Sequence, residues 1–261
     1  MTKIKITLYD KNARRLFSAE GEKKVHTCIA HAYEEGDYLV IQAPKEHFIK
    51  VKIEEAILET ILYAKEDSFV YQIPFGEARS PYPEGTFLGT YHIYRISLEE
   101  KNPEEHDLST NPLDVRGETG FYPHCIASVE TRGESVFAAR NTIDGYKETD
   151  CHGYWPYTSW GDNENPEAEI TIHFGREIRA ARLVMNLRAD YPHDNYWKQA
   201  ELVFSDGSTQ EIRLEKTGED QVFELHNIIS GFVTMRKLIR EETLSSPFPA
   251  LTYWAVYGTE Q

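Results

Sequence analysis

Apolar residues recur at every second position through most of this chain, a period that strands satisfy and helices do not. Ile4, Ile6 and Leu8 share one face, Ile170, Ile172 and Phe174 alternate strictly, and Leu183, Met185 and Leu187 do the same. Successive side chains of a strand point to opposite sides, so this pattern gives one buried and one wet face. Short β-branched or aromatic runs follow at residues 38–41, 48–53, 57–64, 68–73 and 88–96. Turn-formers separate them, as in Glu35-Gly36-Asp37, Ala43-Pro44-Lys45 and Gly76-Glu77-Ala78. Short strands at fairly even intervals predict a sandwich or barrel. Residues 54–64 also suit a helix by propensity. There, Leu58, Thr60 and Leu62 alternate with Ile57, Glu59 and Ile61, which favours a strand buried on both faces. Later, Ala200, Leu202 and Phe204 run through Ser205-Asp206-Gly207-Ser208 into Ile212 and Leu214, which predicts a hairpin. Residues 223–225, 232–238 and 251–257 supply the remaining strands, and no stretch predicts a helix of three turns.

The periodicity lapses once. Residues 97–107 are charged and patternless and lead into Asn111-Pro112. A chain of 261 residues exceeds the usual single-domain size. The lapse therefore divides it into an N-terminal sandwich, 1–105, and a second, 112–261. The expected fold class is all-β, with two β-sandwich domains of jelly-roll type.

Charge narrows the partners. Against 28 basic residues stand 43 acidic ones, a net charge of −15, with no basic surplus in either half. Nucleic acid and anionic membrane surfaces both select for basic patches, so neither is expected as a partner. Cys28, Cys125 and Cys151 are odd in number and far apart, which excludes a disulfide framework or a CxxC metal site. The first residues lack the apolar core of a signal peptide, and no apolar run approaches the ~20 residues that span a bilayer. The expectation is a cytoplasmic protein, or a secreted one if a signal has been removed.

Two loops concentrate the chemistry. Residues 138–161 hold two of the four tryptophans among turn-formers such as Asp144-Gly145, His152-Gly153 and Trp155-Pro156. Large aromatics in a loop either pack beneath it or present a face to a ligand. Residues 188–197, RADYPHDNYW, repeat the style. A sugar offers apolar C–H faces edged by hydroxyls, which aromatic plates and polar side chains together recognise. The candidate wall is His152, Tyr154, Trp155 and Tyr157 facing Arg188, Tyr191, His193, Asp194, Tyr196 and Trp197. The structural alternative is that Tyr196 and Trp197 plug the sandwich end while Arg188 pairs with Asp190. Neighbouring Cys151 and His152 make a poor nucleophile–base pair, since catalytic partners meet across a fold.

The second half also resembles a known family. Ala139-Arg140-Asn141-Thr142-Ile143-Asp144-Gly145, then Thr158-Ser159-Trp160, then Ala168 to Gly175 look like the discoidin, or coagulation-factor C-terminal, type of galactose-binding-like domain. The run Leu202 to Gly207 and the closing Val256-Tyr257-Gly258 continue the pattern, so the likeness covers roughly residues 120–260. It implies a β-sandwich acting as a carbohydrate-binding module through loops at one end, with Trp160 in the core near a strand start beneath the loop. It also implies a structural calcium ion held by Asp144 and Thr158 with backbone carbonyls. The chain departs from the pattern in two places. Residues 146–157 intervene between Asp-Gly and Thr-x-Trp, and Tyr253-Trp254-Ala255 stands where the family often has an acidic residue. Fold transfers across such a likeness better than ligand does.

These readings predict a noncatalytic, lectin-like protein that recognises a glycan or oligosaccharide through the second sandwich. One alternative is a glycan-processing enzyme, or a subunit of one, using two carboxylates among Glu148, Asp150, Asp190 and Asp194. The other is a protein–protein assembly module whose aromatic loops form an interface.

Overall fold

The computed structural model describes residues 3–149, 155–189 and 195–261. Two antiparallel sheets make the first sandwich. One orders β2 (Arg15–Gly21), β1 (Ile4–Tyr9), β4 (Tyr38–Gln42) and β7 (Ser68–Gln72). The other orders β10 (Phe121–Tyr122), β6 (Thr60–Ala64), β5 (His47–Lys52), β8 (Tyr91–Glu99) and β3 (Lys24–Ala30). Ile4, Ile6 and Leu8 are fully buried and share one core with Ile49, Val51, Leu62, Tyr94 and Ile96 of the opposite sheet. The alternation read from the sequence is the inward face of β1. The strand expected over 57–64 is present but begins only at Thr60, because residues 55–57 form a turn that carries the chain out of β5.

The second core belongs to one seven-stranded sheet. Its path is β14 (Thr209–Arg213), β13 (Trp197–Phe204), β15 (Gln221–Arg240), β12 (Ile170–Arg188), β16 (Ala250–Glu260) and β9 (His106–Asp107), with β11 (His124–Ala127) paired to β12. The predicted hairpin is β13–β14, closed at Val203 and Thr209. β12 and β15 are 19 and 20 residues long, and their ladder breaks register partway. In β12 one break falls between His173 and Ile178, around Gly175 at φ +71°. A second falls between Ala180 and Arg182, where β15 carries His226 and Asn227, both at positive φ. Bulges bend a strand and raise its twist. Each long strand therefore serves two faces of a sandwich, and Ile172 and Phe174 of one arm meet Met185 and Leu187 of the other in a single core. The all-β class is as expected. Among the described residues the only helices are short 3-10 turns, and no helix is long and apolar enough to cross a membrane.

The two sandwiches are braided rather than strung. β9 adds to the second sheet, yet β10, later in the chain, returns to the first, and Leu113 and Phe121 pack in the first core. A cut at 105–112 would strip β10 from its sheet. Tyr122 of β10 also lies on the β12 corner: a Cβ on Gly175 would stand 2.5 Å from the tyrosine ring. The Arg176 guanidinium beside it stacks on Phe48 and Tyr63 at 4.9 and 5.1 Å. Deeper in the junction, buried Arg140 donates to the carbonyls of Asp114 and Pro112 and lies 4.7 Å over the Tyr82 ring.

Candidate functional site

The aromatic loop of residues 138–161 divides between the two sandwiches. Its first part docks on the N-terminal one. Tyr146 donates its hydroxyl to the Ala56 carbonyl at 3.3 Å and meets Trp155 edge-on at 5.5 Å. The Trp155 backbone N–H donates to the Ser80 carbonyl at 2.9 Å. The half-buried indole lines a hollow of about 410 Å³ with Arg79, Tyr82, Glu84 and Leu88. Trp155 thus faces the first domain, apart from Tyr157, the other described member of the wall expected from residues 152–157. Sequence spacing puts these aromatics together, but the loop crosses the domain junction between them.

The second part turns into the C-terminal core. Tyr157 is fully buried with Val136 and Phe137. The Arg188 guanidinium lies 3.7 Å over its ring, so the two aromatic loops do meet at this end. Trp160 exchanges both backbone hydrogen bonds with Leu251, at 2.8 and 2.7 Å, and donates its indole N–H to the Val129 carbonyl. Trp197 stacks at 5.8 Å on Trp160 and donates Nε1–H to Asp162 Oδ2 at 2.9 Å. Both indoles are 0% exposed. Trp160 is in the core as expected; Trp197 has no face for a sugar and is a structural plug instead. Tyr196 is half-buried against the same core, and Asn195 ties its loop to the carbonyls of Glu241 and Ser246. Candidates His152, Tyr154, Tyr191, His193 and Asp194 lie outside the described residues, as do Asp150 and Asp190. Glu148 is described and exposed.

Beside this junction opens a cavity of about 220 Å³, lined by Thr131, Arg132, Phe137, Ser159, Asp162, Asn163 and Phe248 among others. The sequence reading missed it because its walls come from three separated loops. Loop 159–163 is held by the Trp160–Leu251 bridge. Loop 131–137 is tied to it by the Ser159 N–H on the Val136 carbonyl and the Thr131 hydroxyl on the Gly161 carbonyl. Phe248 precedes β16 and has one legible signal: an aromatic set between Pro247 and Pro249 in a loop cannot join a strand ladder, and it is 45% exposed. Arg132, at φ +51°, grips Glu134 through Nε and Nη2 at 2.6 and 2.9 Å and lies 5.3 Å over Phe137. Ser159 is fully buried, and its hydroxyl makes no hydrogen bond among the described residues. Burial pushes the Asp162 carboxyl above its usual range, although the Trp197 indole and the Glu164 backbone both donate to it.

Asp144 and Thr158, the calcium ligands implied by the family resemblance, are both buried. Burial pushes Asp144 up to about 7 against the pull of Arg140, and its Oδ1 accepts the Tyr146 N–H at 3.0 Å. Among the described residues Asp144 belongs to no cluster of three or more His, Cys, Asp or Glu side chains. Calcium takes about six to eight oxygens, commonly with several carboxylates. Asp144 offers one carboxylate, so a calcium ion here would draw its other oxygens from Thr158 and backbone carbonyls.

No protein-family model and no curated protein matches the chain. Solved structures similar to it include a fucose-binding module of Streptococcus pneumoniae, with 14% identity over 59% of this chain and 99% of that one, at a TM-score of 0.41. A fucolectin from striped bass serum is 12% identical over 90% of this chain and 85% of its own, at 0.45. The family 32 carbohydrate-binding module of Clostridium perfringens NanJ, in complex with galactose, is 13% identical over 59% and 99%, at 0.42.

Proposed function

We propose that the chain binds a carbohydrate, without acting on it chemically, in the cavity between loops 131–137, 159–163 and residue 248. The observation that carries this reading is the composition of the wall. Phe248 supplies exposed apolar ring surface, with buried Phe137 as the floor beneath Arg132, while Arg132 and exposed Asn163 supply donors and acceptors. A pyranose needs both: stacking for its C–H face and polar groups to fix its hydroxyls. At about 220 Å³ the cavity is below the ~300–1,000 Å³ of drug-sized sites, which suits one ring and a weak affinity.

Asp162 is the one carboxylate among the described residues lining this cavity, and both its oxygens accept protein N–H groups. Hydrolysis of a glycosidic bond ordinarily uses two carboxylates, so this arrangement supports recognition over turnover. The test is a glycan-panel screen of the intact chain, followed by Asn163→Ala and Phe248→Ala on each hit. The reading expects selective hits weakened at least several-fold by either change. A blank panel, or hits indifferent to both substitutions, would remove the assignment.

A further inference from the structure

A second cluster of chemistry-bearing groups lies in the first sandwich, far in sequence from the cavity above. β5 and β8 pair antiparallel with Lys52 opposite Arg95. Continuing that register past the end of β5 sets Glu54 and Glu55 opposite Ile93 and His92. Ligand atoms of Glu54, Glu55 and His92 lie within 4.8 Å of one another. His92 is 0% exposed and Glu54 3%, whereas Glu55 reaches solvent.

Two buried groups in this cluster keep unsatisfied atoms, although the backbone of Phe87, Ala56 and Glu55 acts on the Glu54 carboxyl and the backbone of His31 and Gly89 on His92. Among the described residues neither ring nitrogen of His92 makes a hydrogen bond, and neither does Glu54 Oε2. Their mutual approach, Nδ1 to Oε2, is 3.7 Å, which is beyond hydrogen-bond reach. Buried polar atoms are nearly always satisfied, and His92 Nδ1 beside Glu54 Oε2 calls for a missing partner that accepts a lone pair from each. A cation does this where a proton bridges only one pair. Two ligands each ~2.0–2.2 Å from a shared ion stand roughly 3–3.5 Å apart, close to the spacing seen.

We infer that Glu54, Glu55 and His92 form a binding site for one divalent transition-metal ion of the zinc or cobalt kind. An imidazole with two carboxylates suits these ions, whereas calcium and magnesium favour all-oxygen shells. The supporting parts are in place. The Ile93 N–H donates to Glu55 Oε1 at 2.7 Å, fixing that carboxylate and leaving its other oxygen for the ion. The Tyr33 ring lies 4.2 Å from the imidazole and holds its plane. The backbone carbonyls of His31 and Gly89 act on the imidazole, so a ring N–H left free by the ion has an acceptor at hand. The exposed side of Glu55 gives the ion its way in.

The experiment uses the full chain, stripped with a chelator and dialysed, titrated with Co²⁺ by visible absorption and then with Zn²⁺ in competition. One Co²⁺ per chain is expected, displaced by Zn²⁺. Glu55→Gln keeps the acceptor for Ile93 and lies at the surface, so it should fold and bind at least tenfold more weakly. His92→Phe keeps a ring against Tyr33 and should abolish uptake, with circular dichroism confirming the fold. No saturable uptake near one equivalent, or uptake unchanged in both variants, would overturn the site and leave Glu54 and His92 a buried neutral pair.

Discussion

Replacing Trp197 by alanine separates a structural indole from a binding one. The ring is fully buried, stacks on Trp160 at 5.8 Å and donates to Asp162 at 2.9 Å. Deleting a buried tryptophan side chain costs about 3–5 kcal/mol through lost burial and the cavity left behind. Stranding the Asp162 acceptor adds about 1 kcal/mol, the low end for an unsatisfied buried group, because that carboxyl is already biased towards protonation. The total, about 4–6 kcal/mol, corresponds to a Tm lower by roughly 8–24 °C at about 2–4 °C per kcal/mol for a chain of this size. Trp197→Phe keeps a ring against Trp160 but loses the donor and part of the packing, so it should lose about 1–3 kcal/mol. The assay is thermal unfolding followed by near-UV circular dichroism, which reports on the stacked tryptophan pair. A Trp197→Ala protein melting within about 2 °C of the parent would refute the packing argument. Equal losses for both variants would instead assign the whole effect to the hydrogen bond.

Gly175→Ala places a side chain at φ +71° and drives its Cβ to 2.5 Å from Tyr122. Left-handed backbone alone costs about 1–2 kcal/mol, so the variant should melt several degrees lower, and Gly175→Ala with Tyr122→Ala should recover part of the loss. His124 sits against Asp114 at 2.7 Å. Burial lowers its pKa, but the Asp114 hydrogen bond and charge outweigh that and leave it raised. A raised folded-state pKa gives stability that is complete below the unfolded value of about 6.5 and fades as pH climbs through the folded one. The stability difference between parent and Asp114→Asn should therefore shrink from about pH 6 upward, measured by urea unfolding. A difference constant over that range would contradict the pair. Trp155→Ala, at the hollow facing the first domain, should leave glycan binding in the other cavity within about twofold by titration, since the two share no lining residue.

Strand positions are legible because alternation is local: Ile4, Ile6 and Leu8, or Ile170, Ile172 and Phe174, declare a buried face without reference to the rest of the chain. The hairpin at Asp206-Gly207 is legible for the same reason. The merging of predicted strands into β12 and β15 is not, since a bend at Gly175 or Asn227 reads like a loop in sequence while its ladder continues on both sides. β10 escapes because two residues carry no period, and its role depends on β6, far away in sequence. Among the aromatics, composition marks where they cluster but cannot sort them. Tyr157, Trp160 and Trp197 are as rich in surface as Phe248, and only the fold decides which ones are covered. The Glu54–Glu55–His92 cluster is invisible for a related reason: it requires the register of β5 against β8, which no single segment encodes.

The measurement closest to the central claim is a calorimetric titration of a panel-selected glycan into the intact chain and into Phe248→Ala. Phe248 is exposed and loop-borne, so its removal should leave the melting temperature nearly unchanged. The account predicts saturable, weak binding by the parent and at least a tenfold loss in the variant. Undiminished binding by a folded Phe248→Ala protein would place the glycan elsewhere and contradict the assignment of this cavity.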